Sequence, residues 1–388
     1  MDFAFTQEQE MIRESAMGFL ADVSSSEAIR KAMVTDSGFD PQVWQRICSE
    51  MYWQAIHIPE AYGGMGLGYV ELAALLEQMG KHLLCSPFMS TVCLAANALM
   101  VAGTEEQKLN YLSQIAEGSL TATLAYTGAS GRWDADGVEA TYEQQGDNVS
   151  LNGVLRYVTD GHTADLLVVA ARQAGTTGED GIGLFLVHGN AAGVERSLLP
   201  TMDQTRKQAE IKLSDVNIGG EAIMLNAGEA WPHLARIIQL AQVCVAAEQM
   251  GGAQQVLDMA VDYTQERVQF GRAIASYQAI KHKAADMMLK AEVARSAVYY
   301  AACVAQEVLA KNGDANVAAD LPQAASMAKA YCSDSYFFNA GNAIQLFGGV
   351  GFTWEYDCHL YFKRAKSSET FLGNGSYHRE LIASQLLD

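Results

Sequence analysis

Proline is scarce, with 6 in 388 residues, and no uninterrupted apolar stretch reaches the ~18 residues that would mark a membrane span. The first scarcity leaves room for long helices, because an internal proline removes a backbone donor and clashes with the preceding turn. The second removes the membrane as a partner. Basic residues are also few: Lys plus Arg total 26 against 45 Asp plus Glu, a formal net charge of −19. A surface of that sign repels a polyanion, so nucleic acid is excluded as well. The first residues, from Met1 to Glu14, lack a basic stretch leading into an apolar run, so no secretory signal is expected. The 7 cysteines are odd in number, scattered and without a C-x-x-C pair, which points to reduced core thiols and a cytoplasmic protein. The 8 histidines make no H-E-x-x-H and no Cys/His cluster, so no metal site is expected, and there is no Walker loop, no G-x-S-x-G elbow and no helix-opening G-x-G-x-x-G.

What is present is a globular composition, 49% hydrophobic and 18% charged with 34 glycines, in a chain too long for one core. Residues 6–121 carry helical periodicity, as at Leu72, Leu75, Leu76 and Met79, interrupted by the glycine turn Tyr62-Gly63-Gly64-Met65-Gly66 after Pro59. That turn follows a helix, which favours a plain turn over a phosphate cradle. From about 122 to 225 short β-rich runs alternate with turn signals at Asp136-Gly137, Gly146-Asp147-Asn148 and Asn152-Gly153. Beyond about 228 long helical patterns return. In the first of them Leu234, Ile238, Ala241, Val245, Gly252 and Val256 share a stripe with Glu248, so one carboxylate is expected to face inward. The fold class is α+β: a helical domain over 1–121, an antiparallel β domain over 122–227 and a four-helix-bundle-like domain over 228–388.

Two segments are more specific: Arg267-Val268-Gln269-Phe270-Gly271-Arg272-x-Ile274-x-x-Tyr277-Gln278, and Gln345-x-x-Gly348-Gly349-x-Gly351-Phe352-Thr353-x-Glu355-Tyr356. With Phe5-Thr6-Gln7-Glu8-Gln9, the Ile58 to Gly66 turn and Tyr157-Val158-Thr159-Asp160-Gly161, they resemble the acyl-CoA dehydrogenase family in order along the whole chain. The resemblance implies a tetrameric flavoprotein that binds FAD between subunits and oxidises an acyl-CoA thioester to its 2,3-enoyl form, passing electrons to an electron-transferring flavoprotein. A base takes the α proton, the β hydrogen leaves as hydride, and donors stabilise the thioester oxygen as it gains enolate character.

Carried over residue by residue, Arg267 matches the arginine on the FAD pyrophosphate, a planar fork suited to phosphate. Phe270 and Gln278 match residues along the adenine and ribityl portion, and Gln345, Gly348 and Gly349 match the loop that the adenosine half passes. These belong to the part of the site lent by a neighbouring subunit. In the other part Thr159 matches the threonine at flavin N5, Tyr157 stands where a tryptophan is common, and Thr127 matches the threonine of a Thr-Glu-Pro segment. Here Gly128-Ala129-Ser130-Gly131-Arg132-Trp133 follows without Glu-Pro, and Asn374 replaces a threonine.

The base position departs most. The glutamate that precedes Gly-Thr is Leu372 in Phe371-Leu372-Gly373-Asn374, and the family's alternative position, on the helix ahead of Arg267, is Ala241. Leu372 keeps only the backbone N–H that the family aims at the thioester. Glu248 could serve as the base or be a core glutamate bonded to an arginine or to backbone, and Glu369, one turn before Leu372, is the weaker candidate. The same departures resemble a branch that oxidises steroid side-chain CoA thioesters as α2β2 heterotetramers. The expected activity is therefore dehydrogenation of a bulky or steroid-type acyl-CoA, by a homo- or hetero-tetramer. The alternatives are a non-catalytic partner completing another chain's FAD site, and a base-independent reaction such as desulfination or flavin monooxygenation.

Overall fold

A computed structural model describes residues 6–226 and 228–387; Phe5 of the N-terminal motif lies outside them. Chain packing forms two compact units, each assembled from segments distant in sequence. One unit comprises residues 1–31, 68–84 and 242–388, the other 32–67 and 85–241. The reason is that an amphipathic helix goes where its apolar stripe is covered, whatever its place in the chain.

In the first unit the main helices are α1 (Gln7–Val23), α2 (Tyr69–Lys81), α3 (Ala230–Glu266, from Gln242 onward), α4 (Gln278–Leu309), α5 (Leu321–Phe347), α6 (Cys358–Thr370) and α7 (Gly375–Leu387). Helix α1 opens on a capping box: the Gln9 N–H donates to Thr6 Oγ1 and the Thr6 N–H to Gln9 Oε1. The Thr6–Gln9 part of the N-terminal motif is thus a helix start. Helix α2 packs on α1 and α4, while α5 packs on α4, α6 and α7. Asn339 of α5 donates to the carbonyls of Ala253 on α3 and Met287 on α4, tying three helices together. Every residue from Gln242 to Ala253 is buried, as befits a helix covered on all sides.

Helices α2 and α3 meet backbone to backbone. A Cβ at Gly80 would overlap the carbonyl of Glu248, and one at Gly251 would overlap the carbonyl of Glu77. Only glycine permits so close a crossing. The crossing sets the depth at which Glu248 enters the unit.

In the second unit an eight-stranded sheet is built from β1 (Ala122–Ala125), β2 (Thr141–Gln145), β3 (Asn148–Thr159), β4 (Leu166–Gln173), β5 (Ile182–His188), β6 (Val194–Leu198), β7 (Gln208–Ile218) and β8 (Ile223–Leu225). Strand order is β6-β7-β3-β2-β4-β5-β8, with β1 against β4. The sheet is largely antiparallel, as expected, through the pairs β2–β3, β3–β7, β4–β5, β5–β8 and β6–β7, while β1 and β2 each pair with β4 in parallel. Long connections allow parallel pairing, and strand patterning alone does not encode it. Leu151, Leu167, Val169, Phe185 and Ile211 fill its core, with Tyr142 edge-on to Phe185 at 4.8 Å.

Gly146, at φ 63°, opens the two-residue turn between β2 and β3 as expected. Asn152-Gly153 is not a turn but a register shift inside β3, with Gly153 at φ 137° against the Cα of Ala140. A bulge and a hairpin turn ask for the same permissive residue. In the 62–66 turn the N–H groups of Gly63, Gly64, Met65 and Gly66 all donate to backbone carbonyls of residues 55–60. None remains for a phosphate. Among the described residues none of the seven cysteines is in a disulfide. Among the described residues no helix is long and apolar enough to cross a membrane, and no His/Cys/Asp/Glu group could hold a metal ion.

Gly251→Ala and Gly80→Ala are each expected to destabilise the fold by about 1–3 kcal/mol or more, because the overlap is with backbone that cannot rotate away. Equilibrium denaturation measures this; unchanged midpoints would show that the helices can separate freely.

Candidate active site

Strand β3 carries the first group of residues. Between the pairs Leu155–Ile211 and Val158–Ala209 it has one residue more than β7, and Tyr157 absorbs the excess at φ 58°. A left-handed tyrosine costs about 1–2 kcal/mol, the kind of strain that accompanies bulges beside functional sites. The Arg156 N–H donates to the Thr127 carbonyl at 2.9 Å, and Thr123 Oγ1 donates to the Thr159 carbonyl at 2.7 Å. These bonds hold the segments that carry Thr127, Tyr157 and Thr159 beside one another. Thr127 spends its hydroxyl proton on the Arg132 carbonyl at 2.7 Å. Thr159 Oγ1 is buried and has no partner among the described residues, which costs about 1–3 kcal/mol unless a ligand meets it. The loop after Thr127 is held by Glu139, whose carboxylate accepts from the N–H groups of Ala129 and Ser130 at 3.0 and 2.9 Å. Burial works against its charge, yet the bonds from Ser130 and Ala129 hold this carboxyl below its usual range.

The second group follows α3. Strands β9 (Val268–Gln269) and β10 (Arg272–Ala273) form a tight hairpin with Phe270 at φ 53° and Gly271 at φ 79° in its turn, the pattern of a type I′ turn. Phe270 is 93% exposed, an orientation that leaves its ring without cover from its own chain. Arg267 is exposed and makes no ion pair among the described residues. Gln278 is exposed on the first turn of α4, its amide 3.5 Å from His282 Nε2; His282 lies on the helix surface. Tyr263 of α3 stacks on Phe347 at 4.2 Å, linking the foot of the hairpin to the end of α5. There Gln345, Gly348 and Gly349 are exposed, and a Cβ at either glycine would meet nothing within 4 Å. Gly348, at φ 67° and ψ −141°, is in a conformation that glycine adopts without strain.

The third group is the turn between α6 and α7. Leu372 is buried at φ 58° and Gly373 follows at φ 100°. The Leu372 carbonyl accepts from Gln242 Nε2 at 3.2 Å and His378 Nε2 at 3.0 Å, while its N–H has no acceptor among the described residues. Burial and the nearby Lys329 charge bring the pKa of His378 down to about 3, so it stays neutral with its proton on Nε2. Asn374 is used locally: its Oδ1 accepts from the Tyr377 N–H at 2.9 Å and caps α7.

Glu248 does face inward, but toward an arginine. Its carboxylate lies 2.6 Å from Arg364 of α6, both side chains nearly fully buried. The pair sits about 9 Å along α3 from Gln242, which contacts Leu372. Glu369 is 2.8 Å from Lys366 on the same helix, with its side chain 19% exposed. Ala241 is buried and apolar. Residues that the sequence did not single out complete this region: Arg364, Gln242, His378 and Lys329. The one available signal was Lys329, the only charge between Leu321 and Asp334 on an apolar helix. Burial brings its pKa down to about 7, against neighbouring acidic groups that raise it.

The residues present fit FAD in kind: a buried Thr159 hydroxyl and an Arg267 fork that have no hydrogen-bond or carboxylate partner among the described residues, and a glycine end open to an approaching group.

Two family models match the chain: the acyl-CoA dehydrogenase N-terminal domain over residues 6–119 and the acyl-CoA dehydrogenase C-terminal domain over 231–387. Acyl-CoA dehydrogenase IpdE2 of Mycobacterium tuberculosis is 31% identical, over 94% of this chain and 93% of that one. A chain of a solved structure described as the electron transferring flavoprotein of Acidaminococcus fermentans superposes with a TM-score of 0.90 at 31% identity, covering 100% of both. The Tcur3481-Tcur3483 steroid ACAD, solved as a variant, gives a TM-score of 0.85 at 26% identity, covering 98% of each.

Glu248→Gln removes the carboxylate charge 2.6 Å from the buried Arg364 guanidinium, and a loss of about 3–5 kcal/mol is expected in denaturant titrations. Converting both residues to apolar ones of similar volume, Glu248→Leu with Arg364→Met, is expected to recover most of it. A single Glu248→Gln variant of unchanged stability would show that the pair does not hold α3 to α6.

Proposed function

The chain belongs to the acyl-CoA dehydrogenase family, and from that premise we propose that it is the FAD-binding subunit of a hetero-oligomer that oxidises a bulky, steroid-type acyl-CoA to its 2,3-enoyl form, with a related second chain bringing the proton acceptor. The observation that carries this reading is the state of the candidate bases. Leu372 and Ala241 have no proton to exchange, and Glu248 is committed to Arg364. The Glu248 carboxylate is occupied by the Arg364 guanidinium at 2.6 Å, with both side chains nearly fully buried. Likeness to the two-named Tcur3481-Tcur3483 steroid ACAD supports both the substrate class and the second chain. Likeness to a chain described with an electron transferring flavoprotein supports that class of protein as the electron acceptor.

Bound FAD supplies the acceptor for the hydride that leaves the β carbon. The chain's own residues hold and orient. Arg267 offers a planar fork to the pyrophosphate, and Phe270, Gln278, Gln345, Gly348 and Gly349 offer an exposed surface to the rest of the nucleotide. Thr127, Tyr157 and Thr159 form the β-sheet contact for the flavin, with the unmatched Thr159 hydroxyl available to it. The free N–H of Leu372 can donate to the thioester oxygen, where charge develops as the α proton leaves. That role needs only backbone, so leucine preserves it.

The chain purified alone is expected to be yellow and to keep its visible flavin absorbance when a saturated steroid acyl-CoA is added without oxygen; bleaching is expected once the second chain is present. Bleaching by the chain alone would overturn the two-chain reading and make Glu248 the base, in which case Glu248→Gln would slow it by about 10² or more. Arg267→Ala is expected to lose FAD on dialysis through the missing charge-assisted contact, and full occupancy would remove Arg267 from the cofactor site.

A further inference from the structure

Lys329 is fully buried on α5 and makes no ion pair among the described residues. Its Nζ instead donates to Ser333 Oγ at 2.9 Å and to three backbone carbonyls: Ser368 at 3.1 Å, Glu369 at 3.1 Å and Gly373 at 2.8 Å. The first two carbonyls lie in the last turn of α6, where no intrahelical donor is available and the helix dipole favours a cation. The third lies beyond Leu372. Lys329 therefore bridges the two sides of the residue whose N–H is free. Gln242 and His378 hold the Leu372 carbonyl itself, so they fix only the peptide that follows.

We propose that Lys329 is a positioning residue for the thioester: by tying the end of α6 to Gly373 it keeps the left-handed Leu372 in place and its N–H free to receive the substrate carbonyl oxygen. This rests on the role given above to the Leu372 N–H. Leu372, at φ 58°, sits in a region that persists only where surroundings over-determine it. Without a donor spanning the turn, the Phe371–Leu372 peptide can rotate and the N–H can satisfy itself on a nearby carbonyl of α6, as that of Phe371 does on Ser367. An ammonium suits the task because it has three donors that radiate from one atom, and here four acceptors surround it.

The test compares two ligands in the FAD-loaded full chain, by calorimetry without oxygen: a steroid acyl-CoA thioester and the matched S-alkyl thioether, which lacks the carbonyl oxygen. The unaltered protein is expected to prefer the thioester by about tenfold, the size of one well-placed hydrogen bond. Lys329→Met is expected to abolish that preference while leaving the thioether affinity unchanged, and to speed amide exchange over 371–374. Equal weakening of both ligands, or a preference that survives, would reduce Lys329 to a structural residue. Absence of any preference in the unaltered protein would instead remove the Leu372 role, and this inference with it. Should Lys329→Met not fold, Ser333→Ala keeps the ammonium and deletes the hydroxyl that holds it; a preference narrowed several-fold is expected, and an unchanged one overturns the proposal.

Discussion

Buried charge has to find its partner, and the helical unit is arranged around that requirement. Helix α3 is buried along its whole length from Gln242 to Ala253, yet it carries Gln242, Glu248 and Gln249. Each is met from α6, its turn or α5: Gln242 by the Leu372 carbonyl, Glu248 by Arg364, and Gln249 by Ser333 and Ser368. Unmatched, any of these groups would cost more than an apolar side chain contributes. Matched, they act as a row of pegs that sets both the register and the rotation of α6 against α3, and so the place of the Leu372 turn. Sliding α6 by one turn would break all three contacts at once.

The glycine crossing of α2 and α3 does for depth what the polar row does for register. Gly80 and Gly251 bring the two backbones into contact, and Glu77 beside this crossing is buried against Arg295 of α4. Two ion pairs, one of them buried on both sides, therefore flank one glycine contact. Such pairs contribute little net stability and much specificity of arrangement in some systems; here they hold a helix whose apolar faces alone would tolerate several rotations.

On the proposed reading, this chain supplies the donors and a second chain supplies the proton acceptor. The backbone donor at Leu372 survives a change of side chain, whereas proton transfer does not, because it needs a titratable group. Meanwhile Phe270 and Arg267 stand exposed on a strained hairpin, an arrangement that makes physical sense when something outside the chain covers the ring and neutralises the guanidinium. On that same reading, holding a flavin and a thioester is separated from the proton chemistry done on them.

Legibility in the sequence followed distance along the chain. Features encoded within a few residues were readable: the helical periodicity that buries Leu72 to Met79, the Gly146 turn and the glycine turn after Pro59. Asn152-Gly153 shows the limit even there, since one dipeptide signals a left-handed backbone without saying whether a turn or a bulge uses it. Glu248 could be placed on an inward stripe from spacing alone, but its partner lies 116 residues away. Lys329 is 44 residues from Gly373, whose carbonyl it holds, and β1 joins β4 in parallel across a long connection. Periodicity and turn chemistry act through neighbouring dihedrals, so the sequence by itself determined the elements and their order. Which charge meets which, which strand runs parallel, and which helices share a unit were decided by tertiary structure, because those choices depend on the energy of burial summed over residues that only folding brings together.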